Sequence, residues 1–262
     1  MTFKPETGEV SAEDLPARYL TADVLTSAGL PHVFTTRHFP AAAEPRDPGS
    51  LFDGGAVALL ARLGLAAEHT AFLKQVHGAE VVFAEQAGLA GRADVIATTR
   101  PGLPLAIFTA DCLPVVVYDP ANGRLAMAHS GWRGTAQAAA QVAARALVSL
   151  GGAPARFVAA IGPSIGPCCY EVDRPVIERL EAGFPDQWRS WVRGTGPGKW
   201  MLDLWRANEE QLAMAGLDSE RIENVRLCTA CRGDLFFSYR RGRGQGRLIA
   251  VAAVPNQPRG AC

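Results

Sequence analysis

The chain has 262 residues, 48% of them hydrophobic, and its 26 basic and 26 acidic side chains cancel to no formal net charge. That apolar content supports a substantial core, and a neutral chain lacks the basic excess of a dedicated nucleic-acid binder. The opening MTFKPETGEVSAEDLP has neither the basic nor the apolar region of a secretory signal, and no run of about 18 apolar residues predicts a transmembrane helix, so a soluble, cytoplasmic protein without nucleic-acid or membrane partners is expected.

Taken in chain order, residues 1–28 read as an N-terminal tail and lead-in, and 29–262 as one domain. GLPHVFTTRHF (29–39) holds a short strand, and the Pro-rich stretch 40–50 is a loop. AVALLARLG (56–64) has helical spacing and a Gly stop. Strands follow at 71–76, 80–85, 93–98, 105–110, 114–119 and 124–129, the last two joined by the turn PANG. The Ala-rich run 135–149 predicts a helix closed by Gly151 and Gly152. A strand at 156–162 and helices at 174–184 and 200–217 come next. Strands at 224–228, 235–241 and 247–254 complete the chain, the last two joined by GRGQG. Strand runs broken by a few helices, without βαβ alternation, predict an α+β fold, and strands apolar throughout predict sheets covered on both faces.

Two glycine-rich stretches read as surface features rather than sites. GTGPGKW (194–200) places Trp200 where a phosphate loop needs Ser or Thr, and RRGRGQGR (240–247) reads as a solvated hairpin turn. Six cysteines without an export signal read as thiols or metal ligands. Cys228 and Cys231 form a C-x-x-C that could join Cys168 and Cys169 in a structural zinc site, but an adjacent pair is poor geometry for that, and packed thiols are the default.

His32, His38 and His69 sit beside loops and read as ordinary residues. His77, Cys112 and His129 each end an apolar strand next to a turn. Two imidazoles and a thiolate would give three protein ligands and leave a fourth zinc position open, the catalytic arrangement. The competing reading pairs Cys112 with His129 as nucleophile and base without metal. Arg133 and Gly134 precede the predicted helix start at Thr135, which suits either an anion site or a plain helix cap.

KQVHG (74–78), FTADCLPVVVYD (108–119), AHSGWRGT (128–135), IGPSIGPCCYEV (161–172) and FFSYRRGRGQGR (236–247) together resemble the laccase-domain family, the YfiH/YlmD-like bacterial proteins. These were first named multicopper polyphenol oxidoreductases and later described as purine nucleoside phosphorylases with adenosine deaminase activity. The resemblance implies one laccase-type catalytic domain of layered, mixed β-sheets flanked by helices, CNF1/YfiH-like in fold. It implies a Zn2+ site on His77, Cys112 and His129. It implies phosphorolysis of adenosine, inosine, guanosine and 5'-methylthioadenosine by inorganic phosphate, and deamination of adenosine. Arg37 in TTRHFP matches the family's Thr-Arg near the pocket, and with Arg133 is expected to hold phosphate. Asp111 is a candidate general base. Copper oxidation of phenols is disfavoured, because five histidines are too few for a multicopper centre. The alternative function is a cysteine hydrolase or amidase, with Cys112 and His129, acting on cell-wall precursors.

Overall fold

The computed structural model describes residues 18–39, 52, 54–242 and 246–256. The first half runs β1 (Tyr19–Leu20), α1 (Asp23–Ser27), β2 (His32–Thr35), α2 (Gly54–Arg62), β3 (Ala71–Lys74), β4 (Val81–Phe83), β5 (Gly88–Arg92), β6 (Val95–Thr98) and β7 (Pro104–Thr109). It continues through β8 (Leu113–Asp119), β9 (Arg124–Ser130), α3 (Trp132–Ala136), α4 (Ala139–Ser149) and β10 (Val158–Ile161). The remainder is β11 (Glu171–Asp173), α5 (Arg174–Gly183), β12 (Val192–Gly196), β13 (Lys199–Leu202), α6 (Leu204–Met214), β14 (Ile222–Asn224), α7 (Tyr239–Gly242) and β15 (Leu248–Ala253). The α+β expectation holds: among the described residues there are two six-stranded mixed sheets, ordered β1-β2-β15-β7-β3-β5 and β14-β10-β8-β9-β6-β4, and a separate three-stranded sheet β11-β13-β12.

The strands that are apolar throughout are covered on both faces because the two sheets stack. Leu105 and Ile107 of β7 face Val116 and Tyr118 of β8 and Leu125 and Met127 of β9 across the space between the sheets. Their neighbours point outward. Ala106 and Phe108 pack with α2, and Val115, Val117, Ala126 and Ala128 pack under α4. The two-residue strand period thus sends alternate side chains into two different layers. The layer order is α2, first sheet, second sheet, and then the helices α4, α5 and α6.

Several local expectations change. The helix expected from 135 is two helices. α3 begins at Trp132, and Ala138, left-handed at φ 64°, breaks it from α4. Residues 199–202 form β13 rather than the first turn of a helix, and Asp203 caps α6 by accepting the Arg206 N–H. GTGPGKW is therefore a β-hairpin, with Gly198 at φ +70° in its turn. LFFSYRR is not a strand: it leads into α7, and β15 pairs with β2 and β7 instead. The loop 40–50, the turn residues 243–245 and the tail 1–16 lie outside the described residues.

The topology gathers chain crossings at one edge. β3, β5 and β7 are mutually aligned, since β3 pairs parallel with both β5 and β7. Each then crosses to the second sheet, as β4, β6 and β8. The crossings are residues 75–80, 93–94 and 110–112, and they carry His77, Asp94 and Cys112. β9 runs antiparallel to β6 and β8, so its C-terminal end, at His129 and Ser130, reaches the same edge.

Candidate active site

The three donors that the sequence singles out come together. One ligand atom each from His77, Cys112 and His129 lies within 4.8 Å of the others. The two imidazoles meet edge to face at 4.9 Å. The β8–β9 register, with Leu113 opposite Ser130 and Pro114 opposite His129, places Cys112 against the turn that follows β9. Gly131 occupies that turn because nothing larger fits: a Cβ there would sit 2.6 Å from the Cys112 Sγ and 3.7 Å from the His77 ring.

Asp94 organises the cluster from behind. It is fully buried, so its charge needs partners. Its Oδ1 accepts from the His77 N–H at 2.9 Å and from His129 Nδ1 at 2.8 Å. Its Oδ2 accepts from the Val76 N–H at 3.1 Å and the Gly78 N–H at 2.6 Å. His77 takes a left-handed backbone at φ 62°, which turns three successive N–H groups onto the one carboxylate. With Nδ1 bound to Asp94, His129 presents Nε2 to the cluster, the usual carboxylate–histidine support for a metal ligand. Asp94 is absent from the candidates that the sequence singles out. Its one signal is a lone carboxylate heading the apolar run VIAT, where burial demands compensation.

The electrostatics follow from this contact. Burial raises the Cys112 thiol, but the His129 charge and hydrogen bonds from both imidazoles outweigh it, bringing the thiol down to about 6. Burial lowers His129, and the Cys112 thiolate and Asp94 more than reverse this, carrying it up to about 9. Both shifts favour a thiolate beside an imidazolium between about 6 and about 9.

The turn after His129 is pinned by a buried polar network. Ser130 Oγ donates to Asn208 Oδ1 at 2.7 Å, and the Asn208 amide donates to Thr135 Oγ1 at 3.0 Å. Gln211 donates to the Thr135 carbonyl at 2.8 Å. Thr135 therefore ties α3 to α6 and caps nothing. Arg133 lies within the five-residue α3, its guanidinium 4.2 Å from the Trp132 ring centroid, rather than ahead of a long helix. The dipole of an extended helix is thus no part of any anion site here, and the exposed guanidinium is what remains.

The other candidates are placed as follows. Arg37 donates to the Gly233 carbonyl and lies over the Phe237 ring at 5.1 Å, holding the 233–237 segment. Asp111, at φ 92°, uses both carboxylate oxygens: one accepts from Thr229 Oγ1 and the other from the Arg240 N–H, each at 2.6 Å. Tyr170 faces the cluster as well. Burial, followed by the nearby Cys112 charge, raises its hydroxyl, and the Arg240 guanidinium sits 5.0 Å from its ring. His32 is a packed core histidine between the Ala22 N–H and the Leu30 carbonyl. His38 contacts the Asp234 carbonyl, and His69 closes a 3₁₀ turn.

Residues 55–255 match the family model described as multi-copper polyphenol oxidoreductase laccase. The chain belongs to this laccase family. It is 38% identical over 193 residues to the purine nucleoside phosphorylase YlmD of Geobacillus stearothermophilus, covering 68% of this chain and 69% of that one. It is 35% identical over 250 residues to a purine nucleoside phosphorylase of Deinococcus radiodurans, covering 87% and 90%. Among solved structures, the hypothetical protein YfiH of Bacillus licheniformis superposes with a TM-score of 0.80 at 29% identity, over 92% of this chain and 97% of that one. The YlmD structure gives 0.78 at 32% identity, over 89% and 94%. The laccase-family match spans His77, Asp94, Cys112, His129 and Arg133, and Arg37 lies before it. Among the described residues no helix is long and apolar enough to cross a membrane.

Proposed function

We propose that this chain is a zinc-dependent purine nucleoside phosphorylase that also deaminates adenosine. One observation carries the reading. Donor atoms of His77, Cys112 and His129, from three separate segments, lie within 4.8 Å of one another, in a chain whose relatives bear the phosphorylase name. Two imidazoles and a thiolate suit zinc, and the glycine at 131 lets the Cys112 sulfur approach where a Cβ would otherwise stand. Zinc held there would supply Lewis acidity at a coordination position the protein leaves open.

The chain's own residues supply the rest. Asp94 fixes the His129 tautomer and holds the His77 turn. Arg133, steadied by the Trp132 face, binds inorganic phosphate, with Arg37 as a second cation on the substrate side. A phosphate oxygen bonds to ribose C1′ as the C1′–N9 bond breaks, and the electron pair leaves with the purine, which takes up a proton. Adenosine, inosine and guanosine give ribose 1-phosphate, and 5'-methylthioadenosine gives its methylthio analogue. Deamination of adenosine replaces the C6 amine by water's oxygen, with loss of ammonia. Asp111 serves as a positioning residue rather than the base, since both its oxygens already accept hydrogen bonds.

The direct test is elemental analysis together with an inosine-plus-phosphate assay. Phosphorolysis that disappears on chelation and returns with zinc is expected, and full activity after exhaustive chelation would refute the zinc reading. Arg133→Ala should raise the phosphate KM by about 10- to 100-fold, the worth of a charge-assisted contact. An unchanged KM would remove Arg133 from the phosphate site. Gly131→Ala should push the Cys112 sulfur on the order of 1 Å and cost about 100-fold in rate, with circular dichroism unchanged.

Metal uptake should also be linked to pH. Ligands bind deprotonated. Between about 6 and about 9, Cys112 is already a thiolate and His129 still carries its proton. Loading should therefore release one proton from this pair, and affinity should rise about tenfold per pH unit. Below about 6 the Cys112 proton adds a second, and above about 9 the dependence should flatten. Calorimetry in buffers of different ionisation enthalpy counts the protons.

A second reading has its own support. Asp94, His129 and Cys112 also form an orienter–base–nucleophile chain with a thiol of depressed pKa, as a cysteine hydrolase or amidase on cell-wall precursors would need. That chemistry needs His77 only as a supporting hydrogen bond to the Cys112 thiolate, not as a ligand. Activity surviving both chelation and His77→Ala would favour it.

A further inference from the structure

A second group of metal-ligating side chains lies outside the site just described. Cys168, Cys169, Cys228 and Cys231 offer four sulfurs that all lie within 4.8 Å of one another. Cys231 Sγ is 3.5 Å from Cys168 Sγ and 3.4 Å from Cys169 Sγ. These separations approach the edge of a zinc tetrathiolate, about 3.8 Å for Zn–S bonds of about 2.3 Å. The adjacent pair, whose spacing alone argues against a shared site, is brought round by a turn. The Cys169 N–H donates to the Gly166 carbonyl at 3.0 Å, so both neighbouring thiols face the C-x-x-C.

We propose that Cys168, Cys169, Cys228 and Cys231 bind one structural zinc-class ion, separate from the His77–Cys112–His129 centre. The backbone around the group is already arranged for a thiolate at Cys228. The Gly166 N–H points at the Cys228 Sγ at 3.3 Å, and the Cys231 N–H also donates to it. A turn closes over the C-x-x-C, with the Arg232 N–H on the Cys228 carbonyl at 3.0 Å. The Arg240 guanidinium, which donates to the Cys169 and Glu171 carbonyls, brings a cation beside what would be a dianionic centre. Four thiolates select a soft ion over a hard one, and donors this close together enclose a single ion rather than a multi-atom iron–sulfur cluster.

The ion would staple two loops. Residues 163–170 follow β10, and residues 227–232 follow β14. The two loops already touch where Thr229 N–H meets the Ser164 carbonyl and Ser164 N–H meets the Leu227 carbonyl. Thr229 holds Asp111, the residue before Cys112, and Tyr170 in the first loop faces the Cys112 charge. An ion held there would thus steady the loop that carries Thr229, and through it Asp111 beside the first site. The assignment does not depend on what the first site catalyses.

Metal counting on the reduced full-length protein tests it, with elemental analysis and native mass spectrometry after zinc loading and desalting. The wild type should carry two zinc ions per chain. Cys168→Ser and Cys231→Ser should each carry one. Cys112→Ala should also carry one, and Cys112→Ala/Cys231→Ser none. With cobalt as the probe, Cys112→Ala should keep the strong near-ultraviolet thiolate-to-cobalt absorption, and the double variant should lose it. A wild type that takes up a single zinc, lost in Cys112→Ala and kept in both serine variants, would overturn the proposal. So would a metal-free mass two protons lighter in non-reduced protein that still binds no second zinc once reduced, since that marks a disulfide. If the first site fails instead, Cys112→Ala and wild type will carry equal zinc, and Cys231→Ser will remove it.

Discussion

Cys112→Ala should abolish inosine phosphorolysis while the protein remains folded. Cys112 supplies the only thiolate among the three clustered donors, and it sits in the crossing between β7 and β8 rather than inside either strand. Its loss would leave two imidazoles to hold the proposed ion. Removing a mere supporting partner of a ligand costs about 10- to 100-fold in metal affinity, so losing a ligand should cost more than about 100-fold in affinity and at least as much in activity. Circular dichroism should match wild type, because the strands on either side are buried independently of the thiol. Activity near wild type would end both readings of the site, since Cys112 is ligand in one and nucleophile in the other.

Asp94 should be nearly as sensitive, and for a different reason. Two of its four hydrogen-bond donors converge on each carboxylate oxygen. Asp94→Asn turns one oxygen into a donor facing two others, and it should lower metal affinity by about 10- to 100-fold. Asp94→Ala takes one of two counter-charges from the His129 imidazolium, only 4% exposed, and leaves it the Cys112 thiolate alone. Breaking a buried charge pair this way costs about 3–5 kcal/mol, which urea denaturation of the metal-free protein at neutral pH will read. Burial works to raise the Asp94 carboxyl, but His129 and the backbone N–H groups overcome it and hold the carboxyl below its ordinary value. A depressed acid stabilises the fold above its unfolded pKa and loses that contribution as pH falls through the folded one. Wild type should therefore show an acid-induced loss of stability below about 4 that Asp94→Asn lacks.

Much of the site is legible in the sequence because chemistry restricts which residues can serve. Histidine is scarce in this chain, and His77 and His129 end apolar runs beside turns, so they stand out from His32, which packs in the core. Cys112 stands out for the same reason. Asp94 does not, because an aspartate near the start of the expected strand 93–98 shows no need of partners until its burial is known. Arg133 is legible as a cation, but its setting is not. The helix expected from Thr135 is interrupted at Ala138, where a left-handed residue separates α3 from α4, and no propensity marks an alanine for that conformation. LFFSYRR carries a strand's composition, yet the strand beside β2 and β7 is already supplied by β15, and tertiary pairing overrides local preference.

The sequence by itself determined the layers. All-apolar strands must be covered on both faces, and period-two alternation then separates the side chains of β7, β8, β9 and β15 between the inter-sheet core and the helix-covered outer faces. It also determined which side chains could bind a metal. Only the tertiary structure decided which of them meet. β3, β5 and β7 run parallel, so their ends share one edge, and each crosses there to the second sheet. His77, Asp94 and Cys112 occupy those three crossings, and antiparallel β9 returns His129 to the same edge. The same folding brings Cys168 and Cys169 to Cys228 and Cys231 across about 60 residues of chain. The first meeting leaves no local motif and the second only the C-x-x-C of Cys228 and Cys231, because strand direction and pairing order, not spacing along the chain, bring the distant partners together.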